Sequence, residues 1–227
     1  MGECWQEIFN KPIAEEIQKI ISSGDKKLYG LWLSQVAHLT RHTSAHQALV
    51  GTRLTEISIP YMKFCYEHAL EEVGHEFMAL NDLKKLGVNV KTVDDLPAPM
   101  ASTENLTAFL YHAATKAHPA TRLGFSYWAE KCYPFIQTLA TSTKDALGLS
   151  DSQMTFFVSH SEIDDKHADD VEKIIQIVCE SPADWEAVER GMVQSLDLAV
   201  RIFEEIFQVA KVEGKETPYI ELLSILK

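Results

Sequence analysis

The stretch YMKFCYEHALEEVGHEFMALNDLKKLG, residues 61–87, decides what kind of fold this chain adopts. Pro60 stands where a helix opens, because its missing N–H is not needed in the first turn, and Gly87 stands where one closes. A long helix is therefore expected from about Tyr61 to Leu86. At 3.6 residues per turn, His68, Glu72 and His75 fall at about 0°, 40° and −20° around its axis, with Glu71 about 60° off on the other side. A solvated polar face would look similar from this segment alone. The geometry recurs, however, in His160-Ser161-Glu162-Ile163-Asp164-Asp165-Lys166-His167, where His160, Asp164 and His167 take the same three angles. Both stripes carry nitrogen and oxygen donors of the kind that bind iron, manganese or zinc.

Working outward, the remaining chain reads almost wholly as helix. Apolar residues recur at helical spacing over residues 5–21, and a second helix is expected from about Lys27 to Leu49. Its His38, Arg41, His42 and His46 share one broad face, read either as a solvated wall or as a basic, titratable wall beside a site. Residues 88–103 hold two prolines and no helical period, so they read as a loop. Ser102 or Thr103 can cap a helix from about Glu104 to Lys116. Another helix spans about Ala120 to Leu139, with a kink at Pro134. It carries Glu130 within LGFSYWAEKCYPF, an apolar setting in which a carboxylate is paired, protonated or bound to something. Ser150 or Asp151 caps the helix that holds the 160–167 motif, and Pro182 and Asp184 start a last long one reaching about Val212. A short helix is expected between Pro218 and Leu226. With strand signals nearly absent, the reading is all-α: one bundle of seven to eight helices forming a single domain over residues 1–227.

Composition narrows the function. A chain of 227 residues can bury a sizeable core without disulfides, and its four cysteines, Cys4, Cys65, Cys132 and Cys179, form no C-x-x-C pair. A formal charge of −12 argues against a nucleic-acid surface and against anionic membranes. There is no apolar run of signal-peptide or membrane-spanning type, and the expectation is a cytoplasmic protein with reduced thiols. Helical bundles build metal sites by projecting carboxylates and histidines inward from facing helices. Glu72 and His75, Glu130, then His160, Asp164 and His167 make six such donors. That exceeds the four a structural zinc needs and suits two iron or manganese ions.

In this order (E-x-x-H, a lone Glu some fifty residues on, then H-x-x-x-D-x-x-H) the chain resembles the haem-oxygenase-like diiron oxidases and oxygenases. Arg41-His42-Thr43 and EEVGHEFMALNDLKKLG resemble the iron-containing redox enzyme branch, close to TenA/PqqC-like proteins. The resemblance covers roughly residues 28 to 180. It implies Glu72, His75, Glu130, His160, Asp164 and His167 as metal ligands. Some family members place the first carboxylate seven residues before the histidine, where this chain has His68, so His68 and Glu71 stay open as alternatives to Glu72. The implied cofactor is Fe(II)/Fe(III), two ions per chain, with manganese also fitting the donor set. The implied activity is dioxygen-dependent oxidation or cleavage of a small carboxylate- or amine-containing metabolite, in a homodimer and with room for an external electron donor. Arg41, His42 and His46 are the expected contacts for an anionic substrate group. Two other readings compete: a TenA-like, metal-independent C–N hydrolase of thiamin salvage, with Cys132 or Cys65 as nucleophile, and a non-catalytic metal-binding bundle.

Overall fold

The computed structural model describes residues 24–211 and 217–226, with all side chains in these ranges except those of 133–139 and 158–166. The helix expected over residues 5–21 lies outside the described residues. The rest is helical, with no strand among the described residues. The elements are α1 (Lys26–Thr40), α2 (Thr43–Gly51), α3 (Ile59–Glu71), α4 (Glu76–Lys85), α5 (Ala101–Thr115), α6 (Thr121–Lys131), α7 (Tyr133–Leu147), α8 (Thr155–Val178), α9 (Pro182–Ala210) and α10 (Ile220–Ile225). These are more segments than the seven or eight expected, because three long helices are each broken once, at Arg41-His42, at Glu72–His75 and at Cys132.

The break between α3 and α4 has a local cause. Gly74 sits at φ +92°, a left-handed conformation that a side chain disfavours. Around it the chain turns Val73 out to solvent while Glu72, just past the end of α3, and His75, just before α4, stay buried. The stripe expected on one continuous helix is thus split between two helix ends that converge.

Two helices are capped from outside, which explains why their starts differ from those expected. The α8 backbone begins at Thr155, beyond Ser150 and Asp151, because Asp82 of α4 supplies the acceptor. Its carboxylate takes the Thr155 N–H at 2.8 Å, the Thr155 hydroxyl at 2.7 Å and the Phe156 N–H at 3.0 Å. Likewise Glu205 of α9 accepts from Ser102 N–H at 2.9 Å and Ser102 Oγ at 2.6 Å at the start of α5, so Ser102 is a donor there and not the expected cap. A carboxylate at a helix N-terminus meets both the free N–H groups and the positive end of the dipole. Burial pushes the Asp82 carboxyl up, against the pull of its donors. Asp82→Ala strands these donors, and the expected cost is about 2 kcal/mol, read as a lower denaturation midpoint at constant slope.

Two apolar clusters hold the bundle. One joins α1, α4, α5, α10 and the far end of α9, with Tyr29, Trp32, Phe156 and Phe157 stacked ring on ring or edge on face. The loop before α5 belongs to it: Val88, Val90, Val93, Leu96 and Met100 are all buried, so the stretch without helical period is pinned to the core. The second cluster joins α2, α3, α6, α8 and the start of α9. Helices α6 and α9 pack most extensively, at a crossing where Gly124 faces the Val188–Met192 backbone and Gly191 faces Thr121. Among the described residues no helix is long and apolar enough to cross a membrane.

Candidate metal centre

The end of α3, the start of α4, the end of α6 and the middle of α8 meet at one buried point. There one ligand atom each from His68, Glu72, Glu130 and His167 lies within 4.8 Å of the others. His68 Nε2 is 3.2 Å from Glu130 Oε1 and 3.8 Å from Glu72 Oε1. His167 Nδ1 is 3.5 Å from Glu130 Oε2, and its Nε2 is 3.3 Å from Glu71 Oε2. His75 Nδ1 lies 3.1 Å from Glu72 Oε2. Glu130, 8% exposed, is therefore the carboxylate shared between helices. Of the residues expected at the site, Glu72, His75, Glu130 and His167 come together here, as do His68 and Glu71. His160 and Asp164 lie on α8, and their side chains are outside the described residues.

The electrostatics of this cluster follow from burial and from the contacts between its carboxylates and imidazoles. Burial alone would raise both carboxyls. Hydrogen bonds from His167 and His68 outweigh it at Glu130, holding its pKa at about 2, and the His75 bond does so at Glu72. Conversely burial would lower His75, yet the Glu72 carboxylate raises it, and the bond to Glu130 raises His167. Carboxylates and imidazoles thus favour each other's charged forms. A divalent cation would stabilise the same carboxylates and would take the place of protons on the imidazoles. The set is nitrogen and oxygen without thiolate, so it fits a borderline ion such as iron or manganese.

The residues expected to meet substrate divide into two places. Arg41 and His42 line a cavity of about 540 Å³ together with His38, Tyr111 and Thr107. Arg41 is paired there with Asp94 at 2.8 Å, and His42 Nδ1 lies 3.1 Å from the Tyr111 hydroxyl. His46 does not line that cavity. It is wholly buried behind it, its ring 5.7 Å from that of Tyr111 and edge-on to it.

His46 instead meets a residue that sequence reasoning passed over. Arg122 of α6 is 1% exposed, and its Nε donates to His46 Nδ1 at 3.1 Å while Nη1 donates to Ser126 Oγ at 2.7 Å. Its guanidinium carbon lies 4.5 Å from the Phe125 ring centroid. The available signal was spacing: Arg122, Ser126 and Glu130 are i, i+4 and i+8, one stripe of an otherwise apolar helix. Burial lowers the Arg122 pKa to about 10, so it stays charged at neutral pH, within the field of Glu72 and Glu130. Burial, then the Arg122 charge, push the His46 pKa well below 6.5. A depressed histidine contributes stability that is present above its ordinary 6.5 and is lost as pH falls below it. Between pH 6.5 and 5 the wild type is expected to lose up to about 1.4 kcal/mol per pH unit through this group. Denaturation across that range should show the His46→Gln variant with a slope flatter by close to one proton.

The arrangement defines a haem-oxygenase-like helical bundle with a buried histidine–carboxylate centre. Residues 31–200 match the model of the family described as iron-containing redox enzyme, and the chain belongs to that family. Among solved structures it is similar to a domain of unknown function with a haem-oxygenase-like fold from Shewanella denitrificans OS217. The two share 32% identity over 95% of this chain and 94% of that one, with a TM-score of 0.85. A TenA homologue from P. horikoshii OT3 shares the fold at 15% identity, over 91% of this chain and 94% of that one, with a TM-score of 0.63. No curated protein matches the sequence.

Proposed function

We propose that this chain is a non-haem iron oxidase or oxygenase that uses dioxygen to oxidise or cleave a small carboxylate- or amine-containing metabolite. The observation that carries the reading is the convergence of His68, Glu72, Glu130 and His167, four buried donors from three helices, on one point. His75 borders it through Glu72, and Glu71 through His167. In this reading Glu72, His75, Glu130, His160, Asp164 and His167 would together hold two irons. When bound, such ions supply open coordination positions and redox equivalents for activating dioxygen. The protein's own part is to hold the ligands, to keep the centre dry, and to admit substrate from the cavity at Arg41 and His42. A homodimer and an external electron donor belong to the same proposal.

The test is dioxygen uptake by protein loaded with Fe(II) under anaerobic conditions, measured against metal-free protein and against the Zn(II)-loaded form. Iron-dependent uptake that rises with added small carboxylates or amines is the expected result. Iron retained with no uptake under any substrate would leave a metal-binding bundle in its place. The likeness in fold to a TenA homologue supports the metal-independent hydrolase as a second reading. That chemistry needs an accessible thiolate. Burial pushes the Cys65 thiol up to about 12 and the Cys179 thiol up to about 11, and Cys132 donates to the Ala129 carbonyl at 3.0 Å.

A further inference from the structure

The unexplained feature of this bundle is Arg122. A charged guanidinium in a protein interior needs acceptors for its donors, and leaving one bare is costly. Here Nε and Nη1 donate to neutral partners, His46 and Ser126, while Nη2 has no hydrogen-bond partner among the described residues. His46 is in the same position. Because Nδ1 accepts from Arg122, the neutral ring carries its proton on Nε2, and Nε2 too is buried without a partner. The two bare atoms flank a single hydrogen bond, and both are donors. A site that offers donors only, with one fixed positive charge, is matched by a ligand that brings acceptors only and a negative charge.

Its position fits a substrate of the neighbouring centre. The guanidinium reaches along α6 to Ser126, one helical turn, or about 6 Å of axis, before Glu130. On its other side stands His46, whose ring abuts Tyr111, and Tyr111 and His42 both line the 540 Å³ cavity. The pair therefore lies between Tyr111, at the cavity, and the helix that carries Glu130.

We propose that Arg122 and His46 form a buried oxyanion subsite that takes the carboxylate end of a short substrate, leaving the carbons beyond it at the histidine–carboxylate centre. The assignment of the bound molecule as substrate rests on the function proposed above. The subsite itself does not, since its donors belong to the chain. It selects carboxylates over amines, because an ammonium group would meet a fixed cation and two donors. The carboxylate replaces no protein group and gains charge-assisted hydrogen bonds from Nη2 and Nε2.

Calorimetric titration of the full-length, metal-free protein with butanoate, butanamide and butylammonium tests this without any metal. Butanoate is expected to bind saturably and the two isosteres not to. Arg122→Gln should weaken butanoate roughly 10- to 100-fold, the loss of a charge-assisted pair, with Arg122→Lys retaining most of the affinity. His46→Gln should weaken it about 10-fold, and it decides the matter by itself if Arg122→Gln does not fold. Equal binding of butanoate and butanamide, no butanoate binding to the wild type, or unchanged affinity in folded variants would each overturn the subsite. Failure of iron loading in the separate uptake experiment would overturn the redox reading and leave this result standing.

Discussion

Glu130→Ala is expected to abolish metal binding and to destabilise the metal-free protein as well. Glu130 faces His68 at 3.2 Å and His167 at 3.5 Å, so it ties α6 to α3 and α8 through one carboxylate. If the cluster holds metal as proposed, its removal would delete a donor that faces both His68 and His167. Loss of a hydrogen-bonded outer partner alone costs 10- to 100-fold in metal affinity, and deletion of a ligand should exceed about 100-fold. Without metal, removal takes the carboxylate away from His68 Nε2 and His167 Nδ1 and leaves the partly exposed Glu71 at the other His167 nitrogen, Nε2; breaking a buried pair in this way costs about 3 kcal/mol. Glu130→Gln keeps the shape and separates the two effects: it should recover part of the stability and little of the metal. Equilibrium dialysis against Fe(II) under anaerobic conditions, beside urea denaturation of the metal-free variants, measures both. Full iron uptake by Glu130→Ala would remove Glu130 from the centre.

The second large effect is expected far from any donor. At the crossing of α6 and α9, a Cβ on Gly191 would overlap the Thr121 carbonyl, and one on Gly124 would overlap the Val188 carbonyl and the Met192 N–H. All of these are backbone groups of regular helices, which cannot rotate aside as a side chain can. Overpacking usually costs 1–3 kcal/mol, and with backbone on both sides Gly191→Ala should lie at about 3 kcal/mol or more. Forcing α6 away from α9 would also shift Arg122, Ser126 and Glu130, which share that helix. Thermal denaturation should show the Gly191→Ala protein unfolded or melting far below the wild type, whereas Gly148→Ala, with nothing within 4 Å of the new Cβ but a φ of +62°, should suffer only the backbone cost of about 1–2 kcal/mol.

These two sites also mark what could be read in the sequence and what could not. The bundle was legible because helix signals are local: proline at a start, glycine past an end, and apolar residues at helical spacing. The stripes at 68–75 and 160–167 were legible for the same reason, since a helix puts i, i+4 and i+7 on one face. What escaped depends on contacts between helices. Asp82 and Glu205 cap helices that are remote in sequence, so no local pattern announced them, and the expected caps at Ser102 and Ser150 were displaced. Gly124 and Gly191 read as ordinary glycines until the opposing backbone is seen. Arg122 sits on the stripe of Glu130, but a single arginine in a helix usually reaches solvent, and only the fold shows that this one does not. From the sequence, His68 and Glu72 read as alternatives. Both enter the cluster, because they lie one helical turn apart on the α3 side of Gly74.

Whether the cluster of His68, Glu72, Glu130 and His167 is a metal centre is tested most directly by counting iron. Metal-free protein titrated anaerobically with Fe(II), with bound metal quantified after removal of excess, should take up two ions per chain, with the Glu130→Ala protein near zero. One ion per chain would keep the centre and contradict its dinuclear form. No uptake above the Glu130→Ala background would contradict the claim itself.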